Sequence, residues 1–141
     1  MVIADTGFWL ALANRHDNDH VRAVSCLERI TEPLITTWPA VTETSHLLRA
    51  RMGNPAQRAF LQSYSDGAFD LFELTRDHVP RLVELMMKYT DLPMDLTDAS
   101  LVLLAEHLGH GRILSTDRRD FHTYRWKQHK PFDNLLIDEG G

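Results

Sequence analysis

Short apolar runs alternate along this chain with longer amphipathic stretches, and the alternation predicts its elements. Val2-Ile3-Ala4 is apolar and stops at Asp5-Thr6-Gly7, as a buried strand does when it enters a turn. Residues 8–14 read as a short helix. A second helix covers about 17–30, with Val21, Val24 and Leu27 at helical spacing and Asp17 or Asn18 as its N-cap. Leu34-Ile35-Thr36-Thr37 is strand-like, and Trp38-Pro39 opens a third helix at a position where proline's missing N–H is not needed. Asn54-Pro55 begins a fourth, broken by Asp66-Gly67. Residues 69–74 read as a strand and 77–89 as a Leu/Met-rich helix with Pro80 in its first turn. The longest apolar helix covers 93–108, with Gly109 as a left-handed cap. Strands at 113–116 and 132–137 complete the series.

Strands that alternate with helices predict a parallel sheet covered by helices on both faces. With 141 residues and no repeat, linker or low-complexity segment, the expectation is one α/β domain over 1–141.

Composition narrows the class. Hydrophobic residues at 43% and charged residues at 25% belong to a globular protein rather than a disordered one. The single Cys26 cannot form an internal disulfide and reads as a small core residue. No run reaches the roughly 20 apolar residues that span a bilayer, and the N-terminus lacks the order of a signal peptide. A cytoplasmic protein with no membrane partner is expected. A net charge of −5 weighs against nucleic acid, but charge is uneven. Arg112, Arg118, Arg119, Arg125, Lys127 and Lys130 stand against only Asp117 and Asp120 in one stretch, with Tyr124 and Trp126 interleaved.

The acids carry the candidate chemistry. Ligands of an open parallel sheet bind beyond the carboxyl ends of its strands. Asp5 follows the first strand and Asp117 the fourth. Asp98 lies in the first turns of its helix and Glu43 near the start of another, and helix N-termini flank that same edge. Each has an ordinary role when taken alone. Asp98 would complete a cap with Asp95, Asp117 would cap a turn, Asp5 would form one, and Glu43 would be a surface residue. Together, four like charges at one edge would repel strongly or take up protons unless a cation joined them. Oxygen ligands of this kind suit Mg²⁺ or Mn²⁺. His16 and His20 share a helical face, but no third ligand completes a zinc site, so His20 reads as structural.

Four segments, in their order and spacing, resemble the PIN-domain family. They are Asp5-Thr6-Gly7, Thr42-Glu43-Thr44 behind Trp38-Pro39-Ala40, Asp95-Leu96-Thr97-Asp98-Ala99-Ser100, and Ser115-Thr116-Asp117-Arg118-Arg119-Asp120-Phe121. Asp17-Asn18-Asp19-His20 is also similar to the family's second helix. The resemblance implies a three-layer α/β/α fold around a parallel sheet of four to five strands. It implies a Mg²⁺- or Mn²⁺-dependent endoribonuclease using one or two ions, of the kind that serves as the toxin of a toxin–antitoxin pair. Asp5, Glu43, Asp98 and Asp117 match its acidic quartet, with Asp5, Asp98 and Asp117 on metal. Thr6, Asp95, Thr116 and Asp120 would support them from behind, and Arg118 and Arg119 would hold substrate. Water activated by the ions would attack phosphorus in line, leaving a 5′-phosphate. Arg125, Lys127 and Lys130 would extend the RNA surface, with Tyr124 and Trp126 stacking on bases, or would form a solvated basic rim with Trp126 packed in the core. Expected partners are RNA, a second copy of the chain and a small antitoxin that blocks the acidic site; Phe8, Trp9 and Leu12 would supply the dimer surface or pack in the core.

Other readings meet obstacles. A haloacid-dehalogenase-type phosphatase needs an acid two positions after Asp5, where Gly7 stands. A receiver domain needs a late lysine, and none lies between Lys88 and Lys127. No glycine-rich turn follows a strand, which excludes a dinucleotide binder. A PIN-like RNA- or protein-binding module without turnover is the alternative that stands.

Overall fold

The computed structural model describes residues 1–92, 94–117 and 119–136. Its main sheet has five parallel strands. They are β1 (Val2–Ala4), β2 (Leu34–Thr37), β3 (Asp70–Phe72), β4 (Arg112–Leu114) and, last in the sequence, β7 (Asp133–Asn134). Their spatial order is β3-β2-β1-β4-β7, so β1 and β4 lie side by side at the centre. A short antiparallel ribbon joins β5 (Arg125–Trp126) to β6 (Lys130–Pro131). The helices are α1 (Thr6–Ala13), α2 (His20–Arg29), α3 (Trp38–Met52), α4 (Asn54–Ser65), α5 (Val79–Lys88), α6 (Leu96–Leu108) and α7 (Asp120–Thr123).

The unbroken apolar runs at 2–4, 34–35 and 113–114 follow from burial on both faces of the sheet. Successive strand residues point to opposite sides. Ile3, Ile35 and Ile113 enter one core with Leu82 and Leu85 of α5 and Leu101 and Leu104 of α6. Val2, Ala4, Leu34 and Leu114 enter the other with Phe8 and Trp9 of α1 and Cys26 of α2. Three layers result, as the sequence implied, and Cys26 is the small core residue expected. Among the described residues no helix is long and apolar enough to cross a membrane.

Several boundaries move for local reasons. Helix α1 starts at Thr6 rather than 8, because Asp5 caps it directly by accepting from the Thr6 N–H at 2.7 Å. Helix α2 starts at His20 rather than 17. Asp17 instead accepts from the Asp19 N–H at 2.8 Å and closes a turn ahead of the helix, so it is not the N-cap. His20 donates through Nδ1 to the Ala11 carbonyl at 2.7 Å, pinning α2 to α1 as a structural histidine. A 3₁₀ turn over Arg76–His78 precedes α5. Asp95 caps α6 by accepting from the Asp98 N–H at 2.9 Å, so the helix begins at Leu96, and Pro93 lies outside the described residues. Gly109 takes the left-handed conformation foreseen for it, with φ +80°. Strand β4 stops at Leu114 because the Asn134 side chain brackets Ser115, accepting from its N–H and donating to its carbonyl. The last strand covers only Asp133–Asn134, and Ile137 lies outside the described residues.

Two expectations about aromatic residues resolve in favour of core packing. Phe8 and Trp9 are buried among α1, α4 and the sheet, so they offer no surface to a second copy; Leu12 is half-buried. Tyr124 and Trp126 are buried too and do not stack on bases. Tyr124 packs edge-on against Tyr89 and Phe121, and the Trp126 indole N–H donates to the Pro131 carbonyl across the ribbon.

Candidate active site

Asp5 leaves the C-terminal end of β1, and Ser115, Thr116 and Asp117 leave that of β4 beside it. One hydroxyl ties the two strand ends together. Ser115 Oγ donates to Asp5 Oδ2 at 2.9 Å and accepts from the Asp117 N–H at 3.0 Å. Asp117 in turn gathers the start of α7, its Oδ1 accepting from the N–H groups of Arg119 and Asp120 at 3.2 and 2.8 Å. Asp98 sits in the first turn of α6, where Tyr124 donates its hydroxyl to Oδ2 at 3.2 Å. Glu43 is half-buried on the second turn of α3. A buried row of hydroxyls holds α3 against α6: Thr37 Oγ1 lies 2.7 Å from Ser100 Oγ, which donates to the Thr97 carbonyl at 2.7 Å.

The electrostatics link all four acids. Burial pushes the Asp5 carboxyl up to about 7, and the charges of Glu43 and Asp117 add to this against the opposing Thr6 and Ser115 hydrogen bonds. Burial lifts Asp98 to about 8, helped by Asp95, Asp5 and Asp120 and opposed by the Tyr124 hydroxyl. Asp120 rises to about 6 through burial and the adjoining Asp117 carboxyl, with Arg119 opposing. Tyr124 is held far above the ordinary phenol range by burial and by Asp98, Asp120 and Asp117. Each shift says that this edge disfavours negative charge as it stands.

The supporting residues divide. The Thr6 hydroxyl is buried with no hydrogen-bond partner among the described residues. Thr116 places its hydroxyl where a side chain at Gly7 would begin, so only glycine lets α1 and the loop after β4 approach this closely. Asp95 is an exposed cap, the ordinary role open to it. Arg119 is 77% exposed and reaches Asp120 through Nε at 3.3 Å, while Arg118 lies outside the described residues.

The remaining cations do not rim the acids. Arg125 spends its guanidinium on the carbonyls of His122, Thr123 and Tyr124. The Lys127 N–H donates to Glu106 at 2.6 Å. That residue is eight positions along α6 from Asp98, a separation of roughly 12 Å. The Lys130 ammonium lies over the Trp126 ring at 5.3 Å. The basic ribbon therefore runs away from the acidic edge.

The donors at this edge are carboxylates and hydroxyls, a hard-oxygen set whose chemistry fits a divalent cation such as Mg²⁺. Among the described residues no three Asp, Glu, His or Cys side chains form a ready-made metal cage. Protein groups hold the acids instead, Ser115 joining Asp5 to the Asp117 backbone, Tyr124 holding Asp98, and the start of α7 holding the Asp117 carboxylate. Ser115, Tyr124 and Asn134 are positioning residues whose contacts the sequence did not disclose. Ser115 left one trace, a hydroxyl directly after an apolar strand.

The PIN domain family matches residues 2–127, and the chain belongs to that family. It is similar to Ribonuclease VapC26 of Mycobacterium tuberculosis, 28% identical over 124 residues that make up 88% of this chain and 92% of the relative. It also resembles the crystal structure of VapC20 of Mycobacterium tuberculosis, described as a sarcin–ricin-loop-cleaving toxin. The TM-score is 0.78 at 21% identity, over 83% of this chain and 90% of that one. This second likeness is one of fold.

Proposed function

We propose that this protein is a metal-dependent endoribonuclease and the toxin component of a toxin–antitoxin pair. The observation that carries the reading is the convergence of acids from separate segments on one edge, where the Ser115 hydroxyl joins Asp5 to the Asp117 backbone and burial, with neighbouring carboxylates adding to it, raises Asp5 and Asp98. Similarity to a ribonuclease over nearly the full length of both chains supports RNA as substrate.

Asp5, Asp98 and Asp117 would hold one or two Mg²⁺ or Mn²⁺ ions through the lone pairs their present hydrogen bonds leave open. When bound, such an ion supplies Lewis-acid activation of water and neutralises charge on the phosphodiester. Glu43 accepts a hydrogen bond from the attacking water and orients it. Ser115 and Tyr124 keep Asp5 and Asp98 from swinging away. Thr6, Asp95, Thr116 and Asp120 shape the polar wall behind them, and Arg118 and Arg119 meet the phosphate beside the cleaved bond. As the water oxygen bonds to phosphorus, the bond to the 3′-oxygen breaks, leaving a 5′-phosphate. A small antitoxin that places a basic side chain among the acids would silence the site, and the protein would act in the cytoplasm as a homodimer.

The test is cleavage of single-stranded and structured RNA with and without Mg²⁺ or Mn²⁺, comparing wild type with Asp5→Asn and Asp98→Asn. Metal-stimulated product from wild type alone is expected. RNA binding without such product would favour the module without turnover.

A further inference from the structure

Trp38 differs from the other two tryptophans. Trp9 and Trp126 are 7% exposed, whereas Trp38 is 48% exposed at the first position of α3, directly behind β2 and on the edge that carries Asp5. On one side it is braced by Tyr64 of α4, with ring centroids 5.9 Å apart, and Tyr64 rests on buried Phe69 at 5.3 Å. Trp38 also lines a cleft of about 540 Å³ together with Thr42, Glu43, His46 and Leu96. Leu96, at the start of α6, is 49% exposed. The two walls are held apart at a fixed distance. Thr37 and Ser100 join α3 to α6, and the Thr97 hydroxyl donates to the Pro39 carbonyl at 3.4 Å.

We infer that this cleft is a base-binding subsite, in which an unpaired RNA base inserts between Trp38 and Leu96. The inference rests on the ribonuclease reading and names where that substrate is gripped. An indole offers a large stacking face, and every base offers a flat one in return. Thr42 and His46 present a hydroxyl and an imidazole to the polar edge of the base. Glu43 belongs both to the cleft and to the acidic edge, so a base seated here keeps its own phosphate next to the acids. A base is neutral and is not repelled by Glu43, as an acidic peptide would be. Seven residues line the cleft, against the roughly 20–30 that each side of a standard protein interface contributes. That size suits one flat group rather than a protein face.

The experiment uses a short single-stranded oligoribonucleotide, with Asp5→Asn protein for binding and wild type for cleavage. Trp38 is the most exposed indole, so RNA should change tryptophan emission and shield it from acrylamide; Trp38→Leu should abolish both effects. That substitution should weaken binding about ten-fold or more and raise KM with little change in kcat. Replacing nucleotides one at a time by abasic residues should reveal one position whose loss matches that of Trp38→Leu and adds nothing to it. Equal binding by Trp38→Leu with no such position would overturn the subsite. So would a Trp38→Leu change confined to sedimentation, which would make the cleft a protein contact. Shielding and abasic dependence without any cleavage would retain the subsite while ending the nuclease reading. Cleavage indifferent to Trp38→Leu would do the reverse.

Discussion

At the N-terminal end of the sheet, Glu32 meets Arg112 Nη1 at 2.5 Å and the Met1 amino group at 3.8 Å. The Arg112 hydrogen bond holds its carboxyl below the usual range. Glu106 follows the same rule partway along α6. Burial pushes it up, but the Arg81 guanidinium, donating to both of its oxygens at 3.0 and 2.7 Å, and the Lys127 N–H outweigh this and leave it lowered. At the C-terminal end burial comes first and nearby carboxylates add to it, Glu43 and Asp117 at Asp5, Asp95, Asp5 and Asp120 at Asp98, and Asp117 at Asp120, and all three are raised. Paired acids serve the fold, while acids gathered against their own repulsion are at odds with it and indicate function.

The contrast predicts separable effects. The largest concerns cleavage. Asp5→Asn or Asp98→Asn should lower metal-stimulated RNA cleavage by more than about 100-fold, beyond what a supporting residue around a metal contributes. Above about pH 8, where these carboxyls are ionised, the metal-free melting temperature should rise rather than fall, since each change removes a charge that burial disfavours. Next is Tyr124→Phe, which keeps the buried ring and deletes the hydrogen bond to Asp98. It should weaken Mn²⁺ binding and cleavage about ten-fold, read by Mn²⁺ titration and initial rates, with far-UV circular dichroism unchanged.

The third prediction is a slope. The folded carboxyls of Asp5 and Asp98 lie at about 7 and about 8 against an ordinary 3.8. Between about pH 4 and 8 the folded state therefore keeps protons that the unfolded chain has released, and stability declines as pH rises through that window. Glu32 and Glu106 have the opposite sign, and their contribution is lost only in acid. Melting in chelator from pH 5 to 9 should show a falling midpoint, flattened by Asp98→Asn and reversed most by Mn²⁺ at the alkaline end. A midpoint rising over that range would contradict the comparison. The smallest effect belongs to Arg112→Gln at the far edge, where the pair is exposed and screened. It should leave cleavage rates unchanged and move the melting midpoint less than either acid variant.

Much of the fold was legible because its signals are local. Pro39 and Pro80 are placed where a first turn accepts them, Gly109 closes α6, and the apolar runs mark strands buried on both faces. The caps Asp5 and Asp95 were missed as helix starts, and with them the true beginnings of α1 and α6. Those same punctuation points carry Asp5, Glu43, Asp98 and Asp117 to one edge. What holds the acids was not legible, since Ser115 and Asp5 are 110 positions apart and Tyr124 and Asp98 are 26 apart. The basic stretch misled for a related reason. Charge can be counted from composition, but its direction depends on the ribbon turn, where Lys127 and Gln128 adopt φ of +47° and +71°. That turn carries the lysines back along α6. Tyr124 and Trp126 looked like stacking residues beside those cations, yet α7 and the ribbon turn both inward.

The contact of Gly7 with Thr116 sets a mechanical stop. A side chain at position 7 would begin on the Thr116 hydroxyl, so the first helix and the loop behind β4 lie close there and form one floor, whatever happens to the charges above. Titration, cations or an inhibitor can rotate the side chains that rise from this floor without closing it. Even one added methyl at position 7 would act as a shim, prising the two strand ends apart and resetting the spacing of Asp5 and Asp117 without touching either carboxylate.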